Sequence, residues 1–130
     1  MDFFRAGRSI LFSEPPLYKP HLWFILTDPD AADKVVAVML RTVKAYTDST
    51  LVLGVGDHPF IRHPSAVDYS LAKRLSVAEI RAALKSGRCH PKEDMSRDLL
   101  ARVRAGLLVS PRTVRALADF CRKLWPNASR

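Results

Sequence analysis

The sequence predicts one α+β domain, in which a small antiparallel β-barrel of about five strands is followed by helices. Three observations lead to this fold class. Residues 1–75 contain short apolar, β-branched segments separated by proline, glycine and aspartate, which is the pattern of strands joined by turns. From residue 76 onward the apolar residues recur at helical spacing instead. The loops between the strand segments are too short for crossover helices, so neighbouring strands should pair antiparallel.

The length and composition agree with a single domain. A chain of 130 residues is within the usual size range for one hydrophobic core. With 48% hydrophobic and 26% charged residues, the composition is that of a globular protein and argues against a disordered one. We therefore treat residues 1–130 as one domain, made of a β-rich barrel (1–75) and a basic helical part (76–126).

The strand predictions rest on composition and on the turn residues that end each segment. The second segment is apolar on both faces, as a central strand covered on two sides would be, and the third is rich in β-branched residues. The fifth alternates only weakly and is predicted as an edge strand. The predicted strands are residues 9–12, 22–27, 34–43, 50–53 and 65–72.

Capping residues mark the starts of three predicted helices. Ser76 and Glu79 form a capping box, which predicts a helix from there to Gly87. Ser96 predicts the start of a second helix, which runs to Gly106. Residues 110–111 are Ser-Pro and predict the start of a third helix that ends before Pro126, because proline is favoured in the first turn and cannot continue a helix.

Positive charge is concentrated in the second half of the chain. The net charge is +8, and residues 72–130 hold fourteen Lys and Arg against five Asp and Glu, whereas residues 1–71 hold seven against eight. A basic half attracts polyanions, so nucleic acid is the first partner class to consider. Arginine-rich helices with solvated faces would give the same composition, and both interpretations stay open.

The sequence favours a cytoplasmic location without a membrane anchor. The longest apolar runs are far shorter than the roughly 20 residues that span a bilayer. The first residues, Met-Asp-Phe-Phe-Arg, do not have the order of a secretory signal. Cys89 and Cys121 lack a C-x-x-C spacing and are expected to be free structural thiols.

Known cofactor and metal motifs are missing from the sequence. It contains no P-loop, no G-x-S-x-G and no G-x-G-x-x-G. Asp57, His58, His63 and His90 could supply nitrogen and oxygen ligands, but no recognised spacing groups them. We therefore predict no cofactor and no metal site.

The stretch GDHPFIRHPS, residues 56–65, is the strongest candidate for a reactive loop. His58 and His63 could serve as base and acid, and Arg62 offers a planar fork to a phosphate. These groups are what phosphodiester cleavage in RNA requires. In the alternative, structural interpretation, His58 caps a turn, Arg62 pairs with Asp57, and the apolar residues between them fill the core.

Three short blocks of the sequence follow one another in a recognisable order. Lys19-Pro20 precedes an apolar strand. Residues 35–42 form a valine-rich strand that ends in threonine, and residues 65–67 (Ser-Ala-Val) begin a later strand that is followed by a basic turn with Lys73 and Arg74. In these blocks the chain resembles the PemK/MazF-like toxins, a family of small ribonucleases from toxin-antitoxin pairs, which has Arg-Pro in the place of Lys19-Pro20.

The resemblance implies an SH3-like barrel, usually dimeric, that cleaves single-stranded RNA without metal and is neutralised by an antitoxin. It maps the family's catalytic threonine to Thr42 and its catalytic arginine to Lys19, which keeps the charge but lacks the bidentate fork. The expected partners are therefore single-stranded RNA, an antitoxin protein and a second copy of the chain, with no membrane.

Two functions follow as hypotheses. The first is a metal-independent endoribonuclease, in which the catalytic residues are His58, His63, Arg62 and Thr42. Its RNA-binding residues would be Lys19, Arg41, Lys44, Lys73 and Arg74. The second is a non-catalytic SH3-like module that binds nucleic acid or a partner protein. Under the first hypothesis Trp23 or Tyr46 could stack on a base if exposed, and the alternative is that these aromatic side chains lie in the core.

Overall fold

A computed structural model describes residues 4–13 and 19–127 of the chain. It is an α+β structure in which one antiparallel sheet is accompanied by three helices, as the sequence predicts. The elements, in chain order, are β1 (Ser9–Phe12), β2 (His21–Ile25), β3 (Lys34–Thr42), β4 (Val52–Leu53), β5 (Ser65–Ser76), α1 (Val77–Ser86), β6 (Cys89–Lys92), α2 (Arg97–Val109) and α3 (Arg115–Leu124).

The sheet has six strands in the order β4-β5-β3-β2-β1-β6 and curls into half a barrel. Five strands were expected, and β6 is the one that the sequence did not indicate. Its residues, Cys-His-Pro-Lys, have no alternating pattern and low strand propensity. β6 forms because the chain leaves α1 through Gly87 in the left-handed conformation (φ 80°) and returns along the free edge of β1.

Strands β2 and β3 are covered on both faces, which confirms the predicted central position of β2. Alternate residues of β3 enter two different hydrophobic cores. Val36, Val38 and Leu40 pack in the core that α2 and α3 cover. Residues of the other parity, such as Val35 and Met39, pack in the core that α1 covers. Side chains on a strand alternate in direction, so a strand covered on both faces becomes apolar throughout.

The prediction that residues 65–72 form an edge strand is wrong. β5 lies between β4 and β3 and continues to Ser76. Its pairing with β3 is interrupted, because residues 69–72 of β5 stand opposite Val38 alone. Such an irregularity interrupts the alternation of side chains between the two faces of β5 and bends the strand. The apolar and polar residues of this segment therefore alternate only weakly in the sequence.

The first two helices begin where their caps predict. The side chain of Ser76 accepts a hydrogen bond from the amide of Glu79, and that of Ser96 accepts one from Leu99. The third prediction is wrong, since α3 begins at Arg115 and not at residues 110–111. Ser110 is instead buried in a turn, where its hydroxyl donates to a carboxylate oxygen of Asp48 at 2.6 Å.

The sequence also sets expectations for the two cysteines and for two aromatic side chains. Cys89 and Cys121 are free and buried, and burial raises the pKa of each thiol to about 11. Trp23 is buried in the core, whereas Tyr46 is exposed.

In the part of the chain that the structure describes, no helix is long and apolar enough to cross a membrane.

Candidate functional site

A cleft of about 590 Å³ opens where β2 and β5 begin and β3 ends. Two segments form its walls: the loop of residues 59–63 and the end of β6 with the residue that follows it. The lining includes several groups that can carry positive charge, one carboxylate and one threonine hydroxyl. These lining residues are His21, Arg41, Arg62, His63, Lys92, Glu93 and Thr42.

Strand register explains how the cleft floor is assembled. Thr42, the last residue of β3, pairs with Ser65, the first residue of β5, and Arg41 pairs with Ala66. On the other side of β3, Trp23 pairs with Met39, and the same register carries His21 to the position beside Arg41. Polar residues from three strands therefore meet at one end of the sheet.

Asp57 anchors the start of the loop predicted to be reactive. Its carboxylate accepts hydrogen bonds from the amide of Gly54 at 2.8 Å and from the guanidinium of Arg102 at 3.0 Å. The bond from Gly54 and then the one from Arg102 hold the pKa of Asp57 below its usual range. Because Asp57 pairs with Arg102 on α2, it does not pair with Arg62 as the structural interpretation of the loop expected.

His58 lies beneath the cleft and does not line it. The side chain is 2% exposed and packs against Phe24, with 5.6 Å between the ring centroids. Its Nδ1 accepts a hydrogen bond from the amide of Phe60, so the proton is on Nε2, which donates to the carbonyl oxygen of Glu93 at 2.7 Å. Ser9 Oγ is also 3.2 Å from Nε2. Both ring nitrogens are therefore engaged, and the bond from Nε2 to Glu93 joins the two cleft walls.

Arg62 and His63 are exposed and line the cleft together with Thr42. Within residues 4–13 and 19–127, no group forms a hydrogen bond or an ion pair with the Arg62 guanidinium. His63 Nδ1 is 3.2 Å from the carbonyl oxygen of Pro64, which can only accept a hydrogen bond. Nδ1 therefore carries the proton in neutral His63, and Nε2 is left to exchange a proton with a ligand.

His21 is a site residue that the sequence reasoning missed. Its Nδ1 lies 2.9 Å from the carbonyl oxygen of Lys19 and therefore donates to it, which leaves Nε2 as an acceptor in neutral His21. The available signal was its place directly after Lys19-Pro20, at the start of a strand whose other residues are all apolar. A polar residue at the first position of a buried strand lies at the end of the sheet, where a site can open.

Lys92 and Glu93 were also missed, because the strand that brings them to the cleft was not predicted. β6 pairs with β1 so that Lys92 lies opposite Ser9, at the end of β1 nearer the chain start. The carbonyl oxygen of Glu93 is then within reach of His58. No local pattern in residues 89–93 indicates this pairing.

The residues predicted to bind RNA divide into two groups. Arg41 lines the cleft and forms an ion pair with the buried carboxylate of Asp68 at 3.1 Å. Lys19 is exposed next to Pro20, which lines the cleft, and Lys44 is exposed two residues after Thr42. Lys73 and Arg74 are at the far end of β5, where they pair with Ala37 and Val36, roughly 17 to 20 Å from Thr42 at the rise of an extended strand.

Arg74 has a structural environment of its own. Its guanidinium pairs with Asp30 and lies over the ring of Phe120, 4.7 Å from the centroid. Both contacts attach the end of β5 to neighbouring elements. Arg74 and Lys73 therefore do not join the groups that line the cleft.

Among the described residues, no three His, Cys, Asp or Glu side chains are grouped as they would be to hold a metal ion. Comparison of the chain with protein-family models, curated proteins and solved structures finds no match. Any function must therefore be argued from the cleft itself.

Proposed function

We propose that the protein is a metal-independent endoribonuclease that cleaves single-stranded RNA in this cleft. The observation that carries the proposal is the convergence of Thr42, Arg62 and His63 on one opening, with His21 as a second histidine. Arg62 is exposed and is not engaged by the residues that the structure describes, so it can bind a phosphate through its planar fork. Two histidines supply proton transfer near neutral pH without a bound ion.

The chemistry assigns one role to each of these side chains. Nε2 of His21 takes the proton of the ribose 2′-hydroxyl, and the 2′-oxygen attacks phosphorus. His63, in its protonated form, gives a proton from Nε2 to the departing 5′-oxygen as the P–O5′ bond breaks. Arg62 binds the non-bridging phosphate oxygens, where charge develops, and the Thr42 hydroxyl orients the phosphate. The products are a 2′,3′-cyclic phosphate and a 5′-hydroxyl.

The resemblance to PemK/MazF-like toxins supports the same reaction class from a different direction. It assigns the phosphate-binding role to Lys19, whose backbone carbonyl accepts from His21 in this structure. Arg62 would supply the bidentate contact that a lysine cannot make. The SH3-like identity of the barrel, a homodimer and an antitoxin partner stay predictions of that resemblance.

The test is cleavage of a mixed-sequence single-stranded RNA by the pure protein in EDTA. We expect fragments ending in 2′,3′-cyclic phosphate, and we expect His63→Ala and His21→Ala each to reduce the rate roughly 100-fold or more, which is the usual contribution of a general acid or base. His90→Ala is the matched control, since His90 is exposed on β6 and does not line the cleft. Equal rates for all four proteins would contradict the assignment.

A non-catalytic module that binds nucleic acid is the second candidate. The observation that favours it is His58, one of the two histidines predicted to be catalytic, whose ring nitrogens are both engaged in hydrogen bonds that support the loop. RNA that is bound with measurable affinity but stays intact in the same assay would favour this function.

A further inference from the structure

A small polar pocket of about 80 Å³ adjoins the cleft. Arg41 lines both, so the two openings meet at the end of β3. The pocket is formed by the loop that follows β3, by the strand β5 and by the turn between α2 and α3. Its other lining residues are Tyr46, Thr47, Asp48, Ala66, Asp68, Ser70 and Arg112.

Tyr46 is held on a closed turn although its side chain is 71% exposed. The hydroxyl of Thr47 donates to the carbonyl of Lys44 at 2.8 Å and accepts from the amide of Lys44 at 3.1 Å. Asp48 is buried and accepts from the amide of Thr50 at 2.9 Å. An aromatic ring on a fixed backbone loses little freedom when a base stacks on it.

The turn between α2 and α3 is fastened to the same loop. Ser110 Oγ donates to Asp48 Oδ2 at 2.6 Å and accepts from the amide of Arg112 at 3.1 Å. Through these two bonds, Arg112 is placed beside the loop that carries Tyr46.

The charges at the pocket permit an anion despite its two carboxylates. Asp68 is neutralised by Arg41 at 3.1 Å, and its other oxygen accepts from the amide and the hydroxyl of Ser70. Asp48 accepts hydrogen bonds from Ser110 and Thr50, and the nearby positive charge of Arg112 opposes its negative charge. Arg112 is exposed, and its guanidinium donates no hydrogen bond to any residue that the structure describes.

We propose that Tyr46 and Arg112 form a second nucleotide subsite, in which Tyr46 stacks on a base next to the phosphate in the cleft and Arg112 binds the following phosphate. The inference rests on the proposed function in that its ligand is single-stranded RNA. It does not require cleavage, because stacking and phosphate binding operate equally in a protein that only binds. The subsite also sets the direction of the bound RNA, since the RNA strand leaves the cleft past Arg41.

The test compares the affinities of fluorescent 2′-O-methyl oligonucleotides of two and six nucleotides, measured by anisotropy. These oligonucleotides cannot be cleaved, because the attacking hydroxyl is blocked. We expect Tyr46→Leu to weaken hexanucleotide binding about tenfold and to leave dinucleotide binding within about twofold, since stacking of one base is lost. Tyr46→Phe, which keeps the ring, should restore the affinity. Arg112→Gln should weaken the hexanucleotide similarly and reduce its salt dependence.

Arg115→Gln is the matched control, because Arg115 is an exposed arginine on α3 that lines neither opening. If the wild-type protein binds the hexanucleotide and neither Tyr46→Leu nor Arg112→Gln changes the affinity, the subsite alone is overturned. A wild-type protein that binds neither oligonucleotide would overturn the subsite and the proposed function together. Binding without cleavage of unmodified RNA would overturn only the catalytic proposal.

Discussion

His58 and His63 have the same side chain, yet the fold uses them in different ways. His58 follows Asp57, which α2 holds through Arg102, and this anchoring turns the imidazole inward onto Phe24. His63 comes after the buried side chain of Ile61 and points into the cleft. The sequence places both in one polar loop but does not say which way each faces, because direction depends on contacts to β6 and α2, which are distant in the chain.

Replacement of His58 should therefore affect stability first. His58→Ala removes a buried ring and leaves the amide of Phe60 and the carbonyl of Glu93 without their partner, so we expect the free energy of unfolding to fall by about 3 kcal/mol. Urea denaturation at pH 7 measures this. His63→Ala should change the free energy of unfolding by less than about 0.5 kcal/mol, because His63 is exposed. A stable His58→Ala protein would mean that the two cleft walls are held without the imidazole.

At the scale of elements, sequence patterns succeeded where a local signal sets the structure. Ser76 and Ser96 cap their helices as predicted, because a cap depends on residues within one turn. Ser110 gives the same signal, but its hydroxyl is taken by Asp48, whose position in the loop after β3 is far away in sequence. β6 was not predicted for a related reason, since its pairing with β1 is the only feature that makes it a strand.

The hydrogen bond between Asp48 and Ser110 joins the loop after β3 to the turn between α2 and α3. The stability that this bond contributes should fall in acid. Burial by itself raises the pKa of Asp48, but hydrogen bonds from Ser110 and Thr50 outweigh it and hold the pKa below its usual range. A carboxylate with a lowered pKa in the folded state contributes stability at neutral pH, and this contribution is lost as the pH falls below about 4.

Asp48→Asn should show the effect as a difference between two pH values. We expect the variant to be less stable than wild type in urea at pH 7 and closer to wild type at pH 3, because the stabilising contribution of a carboxylate with a lowered pKa decreases once the pH falls below about 4. Asp119→Asn is the control, because Asp119 is exposed on α3 and pairs only with Arg122 of the same helix among the described residues. A stability gap that does not shrink on acidification would show that the charge of Asp48 is not what holds the loop.

For the molecule as a whole, the net charge of +8 does not by itself define where the proposed RNA ligand would bind. The basic half predicted from composition includes Lys73 and Arg74, which the fold carries away from the cleft, whereas His21 and Arg62 come from the half with a net charge near zero. Composition therefore favours a class of partner as a hypothesis, but the sheet order determines which charges converge.

Substitution of two lysines tests whether the cleft or the overall charge attracts RNA. Lys92→Gln should weaken binding of the 2′-O-methyl hexanucleotide and reduce the slope of log affinity against log salt by about 0.7, the value for one phosphate contact on a single strand. Lys73→Gln removes the same charge at the far end of β5 and should leave the slope unchanged. Equal changes for both variants would indicate that RNA is attracted by overall charge and not by the cleft.

The two hydrophobic cores on opposite sides of the sheet have a consequence for how this protein can acquire new specificities. Many sheets that bind RNA offer an open face to the bases, so that recognition and core packing share the same strands. Here α1 lies against one face and α2 and α3 against the other, which leaves strand ends and loops for recognition. Substitutions or insertions in residues 43–48 and 59–63 can therefore change the ligand without replacing a core side chain of β2 or β3.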